Sequence, residues 1–129
     1  MSAKSRLALK ELSKAFKRLQ DASQMKKSEI VRGGTIQRFE FTFELLWKAL
    51  KIVLQDKGVE VHTPKDSLRR AFRLGWIENE ASFLEMLEAR NKMSHLYDEQ
   101  EAREIYKEVT QKFIKPIRAL LETLKEQQD

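Results

Sequence analysis

Apolar residues recur along this chain at intervals of three and four, the period of helices that bury one face. Leu9, Leu12, Phe16 and Leu19, with Ala8, Ala15 and Ala22 beside them, predict a first helix from about Ala3 to Ser23. Its opposite face carries Lys10, Lys14, Lys17 and Arg18. The strongest pattern is Ile36, Phe39, Phe43, Leu46, Trp47, Leu50, Val53 and Leu54, which predicts a second helix from Thr35 to Lys57 as the spine of the core. A further stripe of Phe41, Leu45, Ala49 and Ile52 makes this helix apolar on more than one side, as suits a central helix or a dimer interface. Between the two, residues 24–34 end in Gly33-Gly34, and paired glycines predict a loop or frayed turn.

Punctuation residues divide the rest. Gly58 is a natural stop after the second helix. Thr63-Pro64-Lys65-Asp66 reads as a helix start, with Thr63 as N-cap, Pro64 at the first helical position and an acid at the third. The short helix that follows ends before Gly75, with Leu68, Ala71 and Phe72 expected inward and Arg69, Arg70 and Arg73 elsewhere. Asn79 is placed to cap a fourth helix through Phe83, Leu84, Leu87 and Arg90, fading near Met93 or Ser94. Asp98 and Glu101 form a capping-box pattern that opens the last helix, through Ile105, Val109, Phe113, Ile117, Leu120 and Leu124, with a kink expected at Pro116. The expected fold is all-α, an antiparallel four-helix bundle with an extra short helix, forming one domain over 1–129.

Composition narrows the function classes. The chain has 129 residues, 4 glycines, 2 prolines and no cysteine. Without cysteine there is no disulfide, no thiolate metal site and no cysteine nucleophile, which fits a reducing, cytoplasmic setting. No segment approaches the roughly 18 to 20 apolar residues of a membrane-spanning helix. The net charge of +5 is unevenly placed: residues 1–38 hold ten basic and three acidic side chains, and the rest is slightly acidic. Such an asymmetry marks either an anionic partner or a solvated helix face.

The chemistry concentrates at Arg90 to Asp98. His62, the other histidine, stands alone in a turn-like stretch, and no metal-ligand spacing, serine-nucleophile motif or phosphate-cradling glycine loop is present. No metal and no intrinsic cofactor is therefore expected. His95, by contrast, has Arg90, Asn91, Ser94, Tyr97 and Asp98 within five positions. Imidazole moves protons near neutrality, and guanidinium holds a permanent charge shaped for two phosphate oxygens, so the pair suits a phosphodiester or nucleotide site. The alternative is structural: Arg90 salt-bridged to a neighbouring helix, Ser94 and His95 capping helix ends, Tyr97 at the edge of the core.

The run Arg90-Asn91-Lys92-Met93-Ser94-His95-Leu96-Tyr97 resembles the R-x4-H-x-Y signature of HEPN-domain proteins, specifically the HepT-like group, also known as nucleotidyltransferase substrate-binding proteins. RFEFTFELLWKALK (Arg38 to Lys51), the Thr63-Pro64-Lys65 turn, AFRLGWI (Ala71 to Ile77) and LEARNKMSHLYDE (Leu87 to Glu99) follow the order and spacing of that group. Lys92 departs from it, standing where an apolar residue is expected. The resemblance implies a helical bundle that dimerises with two signature segments face to face and is encoded beside a small nucleotidyltransferase. It implies one of two roles. In the first, the protein is a ribonuclease toxin with Arg90 and His95 as catalytic residues, silenced when the transferase, using ATP and Mg, adds AMP to Tyr97. In the second, it is a non-catalytic subunit that presents a nucleotide or other substrate to the transferase.

Cleavage through the 2′-hydroxyl needs a base, an acid and positive charge on the crowded phosphate. One His95 cannot fill both proton-transfer positions, so a homodimer would supply the second, and the second helix, with its surplus apolar surface, is expected near the two-fold axis together with the fourth. Lys10, Lys14, Lys17 and Arg18 are the candidate contacts that guide RNA or a nucleotide to the groove.

Overall fold

The computed structural model describes residues 1–93 and 98–127. The chain forms α1 (Ala3–Ser23), α2 (Glu29–Asp56), α3 (Pro64–Arg73), α4 (Glu80–Lys92) and a long last rod of α5 (Glu99–Glu108), a π-helical turn (Val109–Phe113) and α6 (Ile114–Glu126). Each helix that starts from a loop has a side-chain cap. Thr63 accepts the Asp66 N–H, Asn79 that of Ser82 and Asp98 that of Glu101, at the positions expected, while Ser2 and Ser28 do the same for α1 and α2. Both stops are also as expected. Gly58 (φ 79°) and Gly75 (φ 81°) adopt the left-handed conformation, and the next residues, Val59 and Trp76, donate back to Leu54 and Ala71, each at 2.9 Å.

The α2 start corrects the sequence reading. The helix begins at Glu29 rather than Thr35 and runs straight through Gly33-Gly34. Ser28 caps the Val31 N–H, and Glu29 places a carboxylate at the positive end of the helix dipole. Those contributions offset a helical cost of about 1 kcal/mol per glycine. The last helix also differs from expectation. Its disturbance is not at Pro116 but in the widened turn just before it, where the Ile114 N–H reaches back five residues to the Val109 carbonyl. The apolar spacing accounts for the position: Ile105, Val109, Phe113 and Ile117 are each four apart, a step that drifts an ideal helix by about 40°. A π turn takes up that drift, so all four remain buried. Relief of the Pro116 ring against the preceding turn fits the same place.

α1 and α2 pack antiparallel: the Ser2 N–H at the start of α1 donates to Asp56 at the end of α2 at 3.0 Å. Phe39 and Phe43 are fully enclosed at the centre, with Phe39 stacked on Phe113 of the π turn at 5.3 Å. One predicted core assignment fails. Phe72 is 41% exposed, because the buried side of α3 is Ser67, Leu68 and Ala71. The second stripe of α2 is mostly used within the single chain: Ala49 is buried, Leu45 and Ile52 are half-buried, and only Phe41, at 59%, stands out. Apart from Ile30 in its first turn, the surplus apolar surface expected of α2 thus shrinks to one aromatic ring. No helix among the described residues is long and apolar enough to cross a membrane.

Candidate functional site

Arg90 sits in the last turn of α4, and the structure places it in an ion pair across the helix interface. Its Nη2 meets Glu44 of α2, and its Nη1 donates to the Asn91 amide oxygen at 3.1 Å. The other Glu44 oxygen accepts the Trp47 indole N–H at 3.1 Å, from the next turn of α2. Both charged side chains are largely covered, Arg90 at 30% and Glu44 at 27% exposed. Glu44 Oε1 is closed to solvent and has the guanidinium as its contact. The ion-pair reading of Arg90 is therefore realised, and it is compatible with a role on phosphate. A guanidinium has five N–H donors, and two partners do not exhaust them.

The other site residues divide sharply. Asp98 is the α5 N-cap, accepting the Glu101 N–H at 2.8 Å, and so shapes the exit of the motif segment. Asn91 is the neighbour that holds Arg90 Nη1. Ser94, His95 and Tyr97 lie outside the described residues. Lys92, the departure from the family pattern, is on the surface and pairs with Glu88 at 3.8 Å, so it disturbs no packing. A second tie follows the motif: Glu99 pairs with Arg32 of α2 at 3.8 Å and with Arg103 at 3.2 Å. The segment from Arg90 to Glu99 is thus anchored to α2 before and after.

The basic face of α1 does not act as one unit. Lys10, Lys14 and Lys17 are exposed, and Lys17 is paired with Asp21 at 2.9 Å. Arg18 instead lines a groove of about 310 Å³ between α1 and α2, with Ala15, Gly34, Gln37, Arg38 and Phe41. A groove of opposite character runs between α4 and α5, lined by Glu85, Glu88, Glu101, Glu104 and Glu108 around Ala89, Ile105 and Lys92. Among the described residues no group of three or more histidine or carboxylate side chains is gathered as a metal site requires.

Sequence reasoning missed Glu44, Arg38 and Phe41. The signal for Glu44 was available, since it is the one acid inside the apolar run from Phe41 to Trp47. A carboxylate there needs a buried partner.

Comparison with known proteins agrees with the helical fold. Residues 6–126 match the family model described as nucleotidyltransferase substrate binding protein like. The probable ribonuclease HepT of Haemophilus influenzae is 35% identical over 81 residues, which are 59% of this chain and 56% of that relative, so the match spans little more than half of either. A crystal structure from Thermus thermophilus superposes with a TM-score of 0.83 at 30% identity, over 88% of this chain and 98% of the other. HI0074 of Haemophilus influenzae, described as revealing the fold of a substrate binding domain of a nucleotidyltransferase, superposes with a TM-score of 0.78 at 30% identity, over 91% and 98%. At the level of fold alone, a tri-AMPylated Shewanella oneidensis HEPN toxin in complex with MNT antitoxin matches with a TM-score of 0.76 at 15% identity, over 98% and 100%. With the family model spanning the bundle from α1 to α6 and the R-x4-H-x-Y residues all present at Arg90 to Tyr97, the chain belongs to the nucleotidyltransferase substrate-binding protein family, of HepT-like HEPN type.

Proposed function

We propose that this protein is the HepT-like component of a nucleotidyltransferase toxin-antitoxin pair: a metal-independent ribonuclease that acts as a homodimer and is silenced by AMP addition to Tyr97. The observation that carries this reading is the held guanidinium of Arg90, braced by Glu44 and Asn91 five residues before His95 in the family signature. A phosphate-binding arginine fixed in place before substrate arrives needs no reorganisation when charge builds on the phosphorus. In the reaction the 2′-oxygen bonds to phosphorus and the bond to the 5′-oxygen breaks. One His95 takes the 2′-hydroxyl proton and the partner copy's imidazole gives a proton to the leaving oxygen. Arg90 faces the equatorial oxygens. The products are a cyclic phosphate and a 5′-hydroxyl end, and no cofactor enters. ATP and Mg act only through the partner transferase, whose AMP on Tyr97 would set a phosphodiester beside Arg90 in place of RNA.

The decisive experiment incubates the purified protein with RNA in EDTA, beside His95→Ala. Cleavage by the wild type and none by the variant is the expected result. Intact-mass spectrometry with ATP, Mg²⁺ and the neighbouring transferase should show AMP-sized additions that vanish in Tyr97→Phe. A protein that is monomeric at micromolar concentration by light scattering removes the composite site. The second reading, a non-catalytic subunit that presents substrate to its transferase, is favoured by one observation: in the single chain Arg90 is already neutralised by Glu44. It takes the lead if the wild type leaves RNA intact.

A further inference from the structure

We propose that the groove between α1 and α2 is a single-stranded RNA subsite for the nucleotide beside the cleaved phosphate, with Phe41 stacking on its base and Arg18 and Arg38 taking backbone phosphates. This deepens the ribonuclease reading and rests on it. Phe41 is 59% exposed in a molecule that encloses its other α2 phenylalanines, Phe39 and Phe43, completely. It shares the groove with two guanidiniums from different helices, and neither makes an ion pair among the described residues. No acid lines the groove. At its edge Gly34 presents bare helix, where an added Cβ would meet nothing within 4 Å, so the groove has a wall with no side chain. An open aromatic face flanked by unneutralised arginines is what a strand with unstacked bases binds, and stacking of this kind is indifferent to base identity.

Position links the groove to the chemistry. Phe41 precedes Glu44 by three residues on α2, a rise of about 4.5 Å along the axis and about 60° around it, so the aromatic end of the groove lies within one helical turn of the residue that holds Arg90. The acidic groove between α4 and α5 repels a phosphate chain, whereas the α1–α2 groove carries two arginines and no acid, which favours that side for a strand held at Arg90. A second copy of this chain is the poorer occupant. A two-fold contact centred here would set Arg18 and Arg38 against their own copies with no carboxylate between them.

The test measures binding of a fluorescent single-stranded 2′-O-methyl oligonucleotide, which lacks the attacking hydroxyl and so reports affinity without cleavage. Phe41→Ala should weaken binding about tenfold, and Phe41→Trp should restore it. Arg38→Ala should weaken binding and lower the slope of log affinity against log salt by about 0.7, the share of one phosphate contact on a single strand. Lys125→Ala, near the end of α6, should change neither. Helical signal and light-scattering mass should match wild type throughout. Unchanged affinity in Phe41→Ala while the wild type binds overturns the groove alone. A loss of affinity that accompanies a change in mass overturns it in favour of a contact between copies. A wild type that binds no oligonucleotide overturns the groove and the ribonuclease reading together.

Discussion

Two of the four carboxylates of α2 end up in opposite situations, Asp56 at its C-terminal end and Glu44 near its middle. Asp56 accepts the Ser2 N–H and the Ser2 hydroxyl, each at 3.0 Å, and also the Ser5 hydroxyl. The Ser5 hydroxyl, and then the Ser2 N–H, hold its carboxyl below the usual aspartate value of 3.8. Its hydrogen-bond partners are neutral groups at the start of α1, with the N-terminal ammonium adding a smaller attraction, so the cluster is a clasp that closes the bundle. Glu44 is closed to solvent on one oxygen, and its main partner is a cation in the family signature. The difference is in what else the partner can bind. A serine hydroxyl at Asp56 has no competing ligand, whereas Arg90 offers its remaining donors to any phosphate.

The largest effects expected under this comparison fall on the signature. Arg90→Ala and His95→Ala should each lower RNA cleavage by about a hundredfold or more. Arg90→Ala should also reduce stability by about 1–3 kcal/mol, since it leaves the covered Glu44 carboxylate without its cation. Circular dichroism melting checks both, and a His95→Ala protein that melts as early as Arg90→Ala would make the signature a structural device. Next comes Glu44→Gln, which keeps an acceptor for Trp47 and removes the charge that fixes Arg90. Cleavage should fall about tenfold, mainly in kcat, because a guanidinium set slightly off line loses rate more than binding. An increase in cleavage would show instead that Glu44 competes with the phosphate. Smaller still, Asp56→Asn should lower the melting temperature by a few degrees and leave cleavage unchanged. The lowered carboxyl of Asp56 stabilises the fold at pH values above 3.8 and loses that contribution as acid protonates it in the folded state. The melting difference between wild type and Asp56→Asn should therefore be present at neutral pH and vanish well below 3.8, and a gap that persists in acid breaks the clasp account.

Local signals were the legible ones. The caps at Thr63, Asn79 and Asp98 and the stops at Gly58 and Gly75 are short-range hydrogen-bond patterns, and the sequence spells them out in adjacent letters. Ser28 carries the same signal, masked by the glycine pair that follows it. Phe72 failed for a different reason. A short helix of ten residues shows too few turns to fix which side of its apolar arc faces in. At the site, Arg90 was legible through the signature and its possible ion pair through chemistry. Its partner was not, because Glu44 lies forty-six positions away and only packing brings the two together. Arg38 and Phe41 were similarly hidden: Phe41 reads as part of an apolar stripe until the neighbouring residues of that stripe are seen to be covered by the chain itself.

The glycine pair inside α2 also bears on how the molecule opens. Residues 29–32 form a helical start separated from the packed body of α2 by two positions with no side chain, and its Ile30 projects into solvent. Backbone freedom gained on unwinding is greatest at glycine, so this start should melt locally while Phe39 and the helix beyond it stay closed. Amide hydrogens of 31–34 should then exchange faster than those of 39–50, with the Arg32–Glu99 contact as the tie that limits the opening. An alanine at Gly33, whose Cβ would meet nothing within 4 Å, should slow that exchange by about fivefold, the equivalent of about 1 kcal/mol of helix propensity. Since Glu99 sits at the head of α5 just after the signature, opening of this start would release one of the two anchors of the signature segment, and a stiffened start would hold it.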